Sequence, residues 1–220
     1  MRRLFFNQEY SADPVWHAQA TLLLAVALQV GLPDTLTLGP RYLVAALEFL
    51  LIVSLSFTTP HKKTYNSRLR RTNVLTLAGA ITAVNGYGLY GVLNHLLHAA
   101  GSTSGRELIV AGIKIYMTNI IIFGLWYWEM DGGGPGRRRA IKTAEQDFLF
   151  PQYQDETYGS KQWSPTYIDY LYLSSTNAMA FSPTDTMPLS RRAKMLMLLQ
   201  ASVSLLTIAV VAARAVNILT

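Results

Sequence analysis

The chain has 220 residues, of which 50% are hydrophobic and 15% charged, with a net charge of +6 and no cysteine. A soluble domain carries about 25% charged residues, so this chain cannot cover itself with a polar surface, and disulfides, thiolate metal sites and cysteine nucleophiles are excluded. Its Lys and Arg residues lie between apolar blocks and form no basic, aromatic-studded face, which argues against nucleic acid as a partner.

The apolar blocks are about 18 to 27 residues long, the length that crosses a hydrocarbon core about 30 Å thick at 1.5 Å per helical residue. The first 14 residues carry Arg2 and Arg3 but no apolar core long enough for a cleavable signal peptide, so a later span is expected to do the targeting. The first span is predicted from Pro14 to about Leu32, with proline where a helix lacks nothing by losing an N–H. A second runs from Arg41 to about Thr58 and stops at Pro60. A basic connection, His61 to Arg71, leads to a third span, about Asn73 to His98. The small polar loop Gly101 to Arg106 leads to a fourth, Glu107 to about Met130, which ends in the aromatic cluster Trp126, Tyr127 and Trp128 expected of an interfacial belt.

Asp131 to Gly136 break that helix, and Glu129 and Asp131 are expected at an interfacial helix end. Residues 137 to 165 are too mixed to span, so 131 to 165 reads as an extramembrane connection in which Phe148, Leu149 and Phe150 dip an apolar edge into the interface. Tyr167 to Phe181 is apolar but only about 15 residues long, which fits a re-entrant half-helix better than a crossing. Asp169 is placed either to cap that helix or to face a pore. Pro183 and Pro188 then interrupt the chain, and Ser190 to Leu219 supply the last span.

The expected fold class is therefore all-α integral membrane, one domain over residues 1–220, with about five transmembrane helices and a re-entrant segment at 166–186 before the last span. Lys62, Lys63, Arg68, Arg70 and Arg71 in one connection, and Arg137, Arg138, Arg139 and Lys142 in another, face only Arg41 and Arg106 in the opposite loops. By the positive-inside rule the N-terminus is cytoplasmic and the C-terminus outside, with Arg191, Arg192 and Lys194 in agreement. The implied location is the cell membrane.

Three ionisable residues fall inside spans, Glu48, Lys114 and Arg214, and under this topology all three lie roughly 10 Å below the outer boundary. They are expected to meet, either as an ion or proton site or as a salt bridge that locks helices, with Arg214 able to snorkel. Asn85, Asn119, Gln200 and Asn217 would extend a polar path or serve as interhelical hydrogen-bond partners. Asn85, Gly86, Tyr87 and Gly88 contain the triplet of a potassium filter, but mid-span, where Gly79, Gly86, Gly88 and Gly91 are better explained by close helix approach. His95 and His98 share a helix face without a third metal ligand, and His17 and His61 add no carboxylate-backed pattern.

Irregular backbone at membrane depth survives only where protein buries it or water reaches it, so Thr176 to Thr186 is expected to line a cavity or fold against the bundle. The order of short helix, irregular stretch and long helix resembles the pore domain of two-span potassium channels. Thr176, Asn177, Ala178, Met179, Ala180, Phe181 and Ser182 fall where such channels carry TTVGYGD, but Met179 and Phe181 replace both filter glycines, so the resemblance does not carry potassium selectivity. The sided charge count also puts this loop on the cytoplasmic face, opposite to a potassium filter. Thr184, Asp185 and Thr186 read as a turn capping the last helix or as hydroxyl and carboxylate groups on a cation path. The wording DYLYLSSTNAMAFSPTDTMPLSRRAKMLMLLQ, with WYWEMDGGGP and DFLFPQ, more closely resembles a family of uncharacterised bacterial multi-pass membrane proteins, which brings no assigned activity.

Two functions stay open on sequence grounds: a channel-like or transport protein for ions or small solutes, and a non-conducting membrane scaffold or accessory subunit. An intramembrane enzyme is disfavoured by the lack of HExxH, GxSxG or an aspartate dyad on facing spans. The lipid bilayer is the expected partner, a homo-oligomer is left open, and no cofactor or metal is expected.

Overall fold

The computed structural model describes residues 15–30, 49, 52–53, 67–98, 105–138, 146–153, 163–180 and 185–219. It is mostly helical, with five main helices: α1 (Val15–Val30), α2 (Ser67–His98), α3 (Gly105–Met130), α4 (Tyr167–Ala180) and α5 (Arg191–Leu219). A short turn at Asp131–Gly133, a single helical turn at Pro135–Arg138 and another short turn at Pro151–Tyr153 join them, together with two-residue strands β1 (Phe148–Leu149) and β2 (Met187–Pro188).

Among the described residues two helices are long and apolar enough to cross a membrane: α3, continued through Gly133, and α5 as far as Val216. Their surroundings differ. In the most apolar stretch of α3, 67% is buried inside the protein, against 28% in α5. Accordingly α3 packs against each of the other four helices, while α5 is peripheral.

Pairs of side chains along the helices give their directions. Gly112 lies against Val211, Asn119 against Ser204, and Tyr127 against Gln200, so α3 and α5 run antiparallel. Asn85 donates to Ile115 O at 3.1 Å, and Leu89, Val92, Leu108, Ala111, Ile115 and Val210 form one apolar cluster where α2, α3 and α5 meet. The larger cluster joins Ala18, Leu22 and Val26 of α1 to Val74, Leu77, Ala78 and Ile81 of α2, whose spacing of three and four is that of one helix face.

The expected first, fourth and last spans fall on helices α1, α3 and α5, but α1, with 16 residues, and α2 are not among the helices long and apolar enough to cross, so five spans are not seen among the described residues. The third begins earlier, at Ser67, so the helix takes in the end of the basic connection at Arg68, Arg70 and Arg71. The second expected span, 41–58, falls mostly outside the described residues, where only Phe49, Ile52 and Val53 are placed, in helical conformation with Ile52 in the core.

Helix α4 has 14 residues, too few to cross a bilayer. At its start Thr166 N and Thr166 Oγ1 both donate to Asp169 Oδ2, at 2.6 and 2.9 Å, so Asp169 caps the helix. It crosses α3 at Gly124, where an added Cβ would lie 3.2 Å from Leu171 Cα. Because that neighbour is backbone and cannot rotate away, Gly124→Ala is expected to lower stability by about 1–3 kcal/mol. A thermal melt in detergent with wild-type stability would show that α4 does not sit against α3 in this way. Two of the mid-helix glycines of α2 lie against no described helix: added Cβ atoms on Gly79 and Gly86 would meet nothing within 4 Å among the described residues, and the Gly86, Tyr87, Gly88 triplet is helical throughout.

Candidate functional site: two buried polar networks

After Met130 the chain turns sharply on three successive glycines with positive φ, Gly132 at 60°, Gly133 at 83° and Gly134 at 97°, a conformation that side chains resist. The turn folds Arg138 back onto the end of α3, where it is 2% exposed beside a fully buried Asp131. Arg138 Nε lies 3.5 Å from Asp131 Oδ2 and donates to Asp131 O at 3.3 Å. Its other nitrogens donate to Pro165 O at 3.2 Å and to Trp128 O, and the guanidinium carbon stands 4.6 Å from the centre of the Tyr170 ring. The carboxylate of Asp131 accepts from Asp147 N at 2.6 Å, Phe148 N at 3.3 Å and the Tyr170 hydroxyl.

One ion pair thus binds four segments: the end of α3, the returning turn, strand β1 and helix α4. Buried charges persist when paired and fully hydrogen-bonded, and here every arm of Arg138 has a partner. Two expectations change. Arg138 does not serve as a solvated topology charge, and Asp131 and Glu129, both 0% exposed, do not sit at an open interface.

Aromatic rings enclose the pair. Phe148 stands edge-on to Tyr127 and to Tyr170, and Phe150 to Tyr170 and Trp163. Phe148 and Phe150 are 0% and 4% exposed, so they fill the core and do not dip into the lipid interface as expected. The reason is β pairing: β1 aligns antiparallel with β2, Phe148 opposite Pro188 and Leu149 opposite Met187, and Leu189 N donates to Asp147 O at 2.8 Å. At the edge of this cluster, burial pushes the Tyr153 hydroxyl up to about 12, against a hydrogen bond from Gln146 Nε2 at 3.0 Å that pulls the other way.

A second network crosses the middle of α3, α4 and α5. Gln200 Nε2 donates to Ser174 O at 2.9 Å and Ser174 Oγ at 2.7 Å, while Gln200 Oε1 accepts from Asn177 Nδ2 at 2.8 Å and from the Tyr127 hydroxyl at 2.5 Å. Asn177 also donates to Met197 O at 3.0 Å, Ser174 Oγ to Ile120 O at 2.7 Å, and Asn119 Nδ2 to Ser204 Oγ at 2.9 Å. All six side chains are buried.

The residues singled out by the channel resemblance are dispersed. Thr176, Asn177 and Met179 belong to α4, so helix continues to Ala180 where the resemblance implied extended filter backbone. Thr176 Oγ1 returns to the helix, donating to Leu173 O at 3.0 Å, Asn177 joins the second network, and Met179 is 64% exposed. Phe181 and Thr184 lie outside the described residues. Asp185 is exposed, and buried Thr186 donates to Asp185 Oδ1 at 3.3 Å. Ser190 caps α5, its Oγ accepting from Ala193 N at 3.1 Å.

Of the expected intramembrane charges, Glu48 lies outside the described residues, and Lys114 and Arg214 are both half-buried. Arg214 Nε is buried without a hydrogen-bond partner among the described residues. Among the described residues no group of three His, Asp or Glu side chains is arranged to hold a metal. Asp131, Arg138, Tyr170 and Gln146 were not picked out together by the sequence; the one local signal was an aspartate followed by three glycines and, seven residues on, an arginine.

No family model, curated protein or solved structure matches the chain. The reading of its function rests on its own residues.

Proposed function

We propose that the chain is a multi-pass membrane protein with about five spans, a cytoplasmic N-terminus and a re-entrant α4, acting as a non-conducting membrane scaffold or accessory subunit. The observation that carries this reading is the second network. A path between α3, α4 and α5 would need polar groups left open to a passing solute. Here Asn119, Tyr127, Ser174, Asn177 and Gln200 give their donors to one another, to Ser204 and to backbone carbonyls. Such bonds hold helices together, at about 0.6 kcal/mol each.

A channel-like function is the second reading, and one observation favours it. The short helix α4 precedes a long helix α5 whose exposed face carries Leu198, Ser202, Leu205, Ala209 and Val216, a surface that copies of the chain in an oligomer would share. Conduction would then follow α5 between copies and pass Asp185.

Ion flux into vesicles reconstituted with the purified chain separates the two. The scaffold reading expects cation flux at the level of empty vesicles, unchanged by Asp185→Asn. Flux above that level that falls with Asp185→Asn would replace the scaffold with a channel, and without filter glycines it should show little preference for potassium over sodium.

A further inference from the structure

Where α5 begins, its first turn holds Arg191, Arg192 and Lys194 and no acidic residue. All three side chains are exposed, and none has an acidic partner among the described residues. Cations at the positive end of a helix dipole run against the usual preference. The network that neutralises Arg138 a short way off, at the same end of α3, does not extend to them.

Directly below the cations the surface changes character. Met195 is 64% exposed, Leu198 60% and Leu199 50%, and neighbouring Met187 and Leu189 are 56% and 44% exposed. In a helix, residues three and four apart share a face. Arg191 and Arg192 therefore stand over Met195, and Lys194 over Leu198, with Leu199 one turn beyond Met195. Three free cations above a contiguous apolar strip complement an amphiphile with an anionic head and hydrocarbon tails.

We propose that this collar binds the phosphate headgroups of anionic phospholipids, whose acyl chains lie along the exposed face of α5. The inference rests on the membrane reading above and adds a specific lipid partner to it. Asp185 is the acidic residue exposed closest in sequence to the collar, and it has an interaction of its own.

The test uses the full chain in detergent, with phosphatidylglycerol or phosphatidylcholine added to the same micelles and bound lipid counted by native mass spectrometry. Phosphatidylglycerol should bind in clear preference. R191Q/R192Q/K194Q should weaken that binding roughly a hundredfold or more, since each basic residue near a charged surface contributes about a factor of several to tenfold. Arg106→Gln, exposed at the opposite end of α3, should leave it unchanged. If the triple variant does not fold, the three single variants should each weaken binding by up to about tenfold. Equal binding of the two lipids by the wild type, or wild-type selectivity in the variants, overturns the proposal. So does equal displacement of phosphatidylglycerol by inorganic phosphate, which lacks the acyl chains. Alkaline carbonate extraction tests the membrane reading separately: release of the chain from membranes would end that reading, whereas a retained chain with no lipid preference would end this proposal alone.

Discussion

Replacing Arg138 with methionine is expected to cost the folded protein about 3–5 kcal/mol, because it leaves the carboxylate of Asp131 buried and without its counter-charge. The damage should exceed that of losing a hydrogen bond, since Arg138 also fastens Trp128 O and Pro165 O, the last turn of α3 and the approach to α4. Arg138→Lys keeps the charge but not the planar fork that reaches three carbonyls, so it should recover only part of the loss. Asp131→Asn alone should also destabilise, and the double variant should do better than the sum of the two single changes. Unfolding midpoints in detergent for the four proteins complete the cycle. Additive effects would show that the two residues do not depend on each other, and the account of this end of the fold would fall.

The second large effect is expected at Gly134. Its φ of +97° and ψ of 170° belong to a region nearly closed to side chains, and the backbone strain of an alanine there costs about 1–3 kcal/mol. Crowding adds to this, because the new Cβ would lie 3.1 Å from Glu129 Oε1 and 3.3 Å from Glu129 O. The control is Gly136→Ala, in the helical turn Pro135–Arg138, where alanine suits the backbone. A drop in thermal stability confined to Gly134→Ala is the expected outcome. Equal melting of both variants and the wild type would mean that the three glycines do not set the return of Arg138.

The helices that are visible in the sequence are those whose driving force is local. Glu107 to Met130 and Ser190 to Leu219 are continuous apolar runs bounded by breakers, and both stand within one or two residues of their expected ends. The shortness of α4 was equally legible from its limited apolar run and the prolines beyond it. What escaped depends on contacts distant along the chain. Phe148 and Phe150 look like interfacial residues in a polar connection, and only pairing with Met187 and Pro188, about forty residues later, turns them inward. Arg138 sits in a row of three arginines, and nothing local in the sequence marks it for burial. Thr176 and Asn177, which the channel resemblance aligned with a filter, satisfy themselves within a helix and against α5, so the helix has no cause to stop before Ala180. The hydrogen-bonding role offered for Asn119 and Gln200 was open in the sequence beside a polar path; Asn119 meets Ser204, and Gln200 meets Ser174, Asn177 and Tyr127, contacts that no local pattern foretells.

The order in which the partners of Asp131 occur along the chain has a consequence for synthesis. A protein made from its N-terminus exposes Asp131 before the hydrogen-bond donors that follow it along the chain. Asp147 and Phe148 follow 16 and 17 residues later and Tyr170 follows 39 residues later, but Arg138 follows after only seven. The counter-charge is thus the first partner to leave the ribosome, and the three-glycine turn delivers it before the remaining donors exist. The nascent helix is then relieved of an unpaired carboxylate early, while the strand ladder that seals the cluster waits until residue 188 has been added.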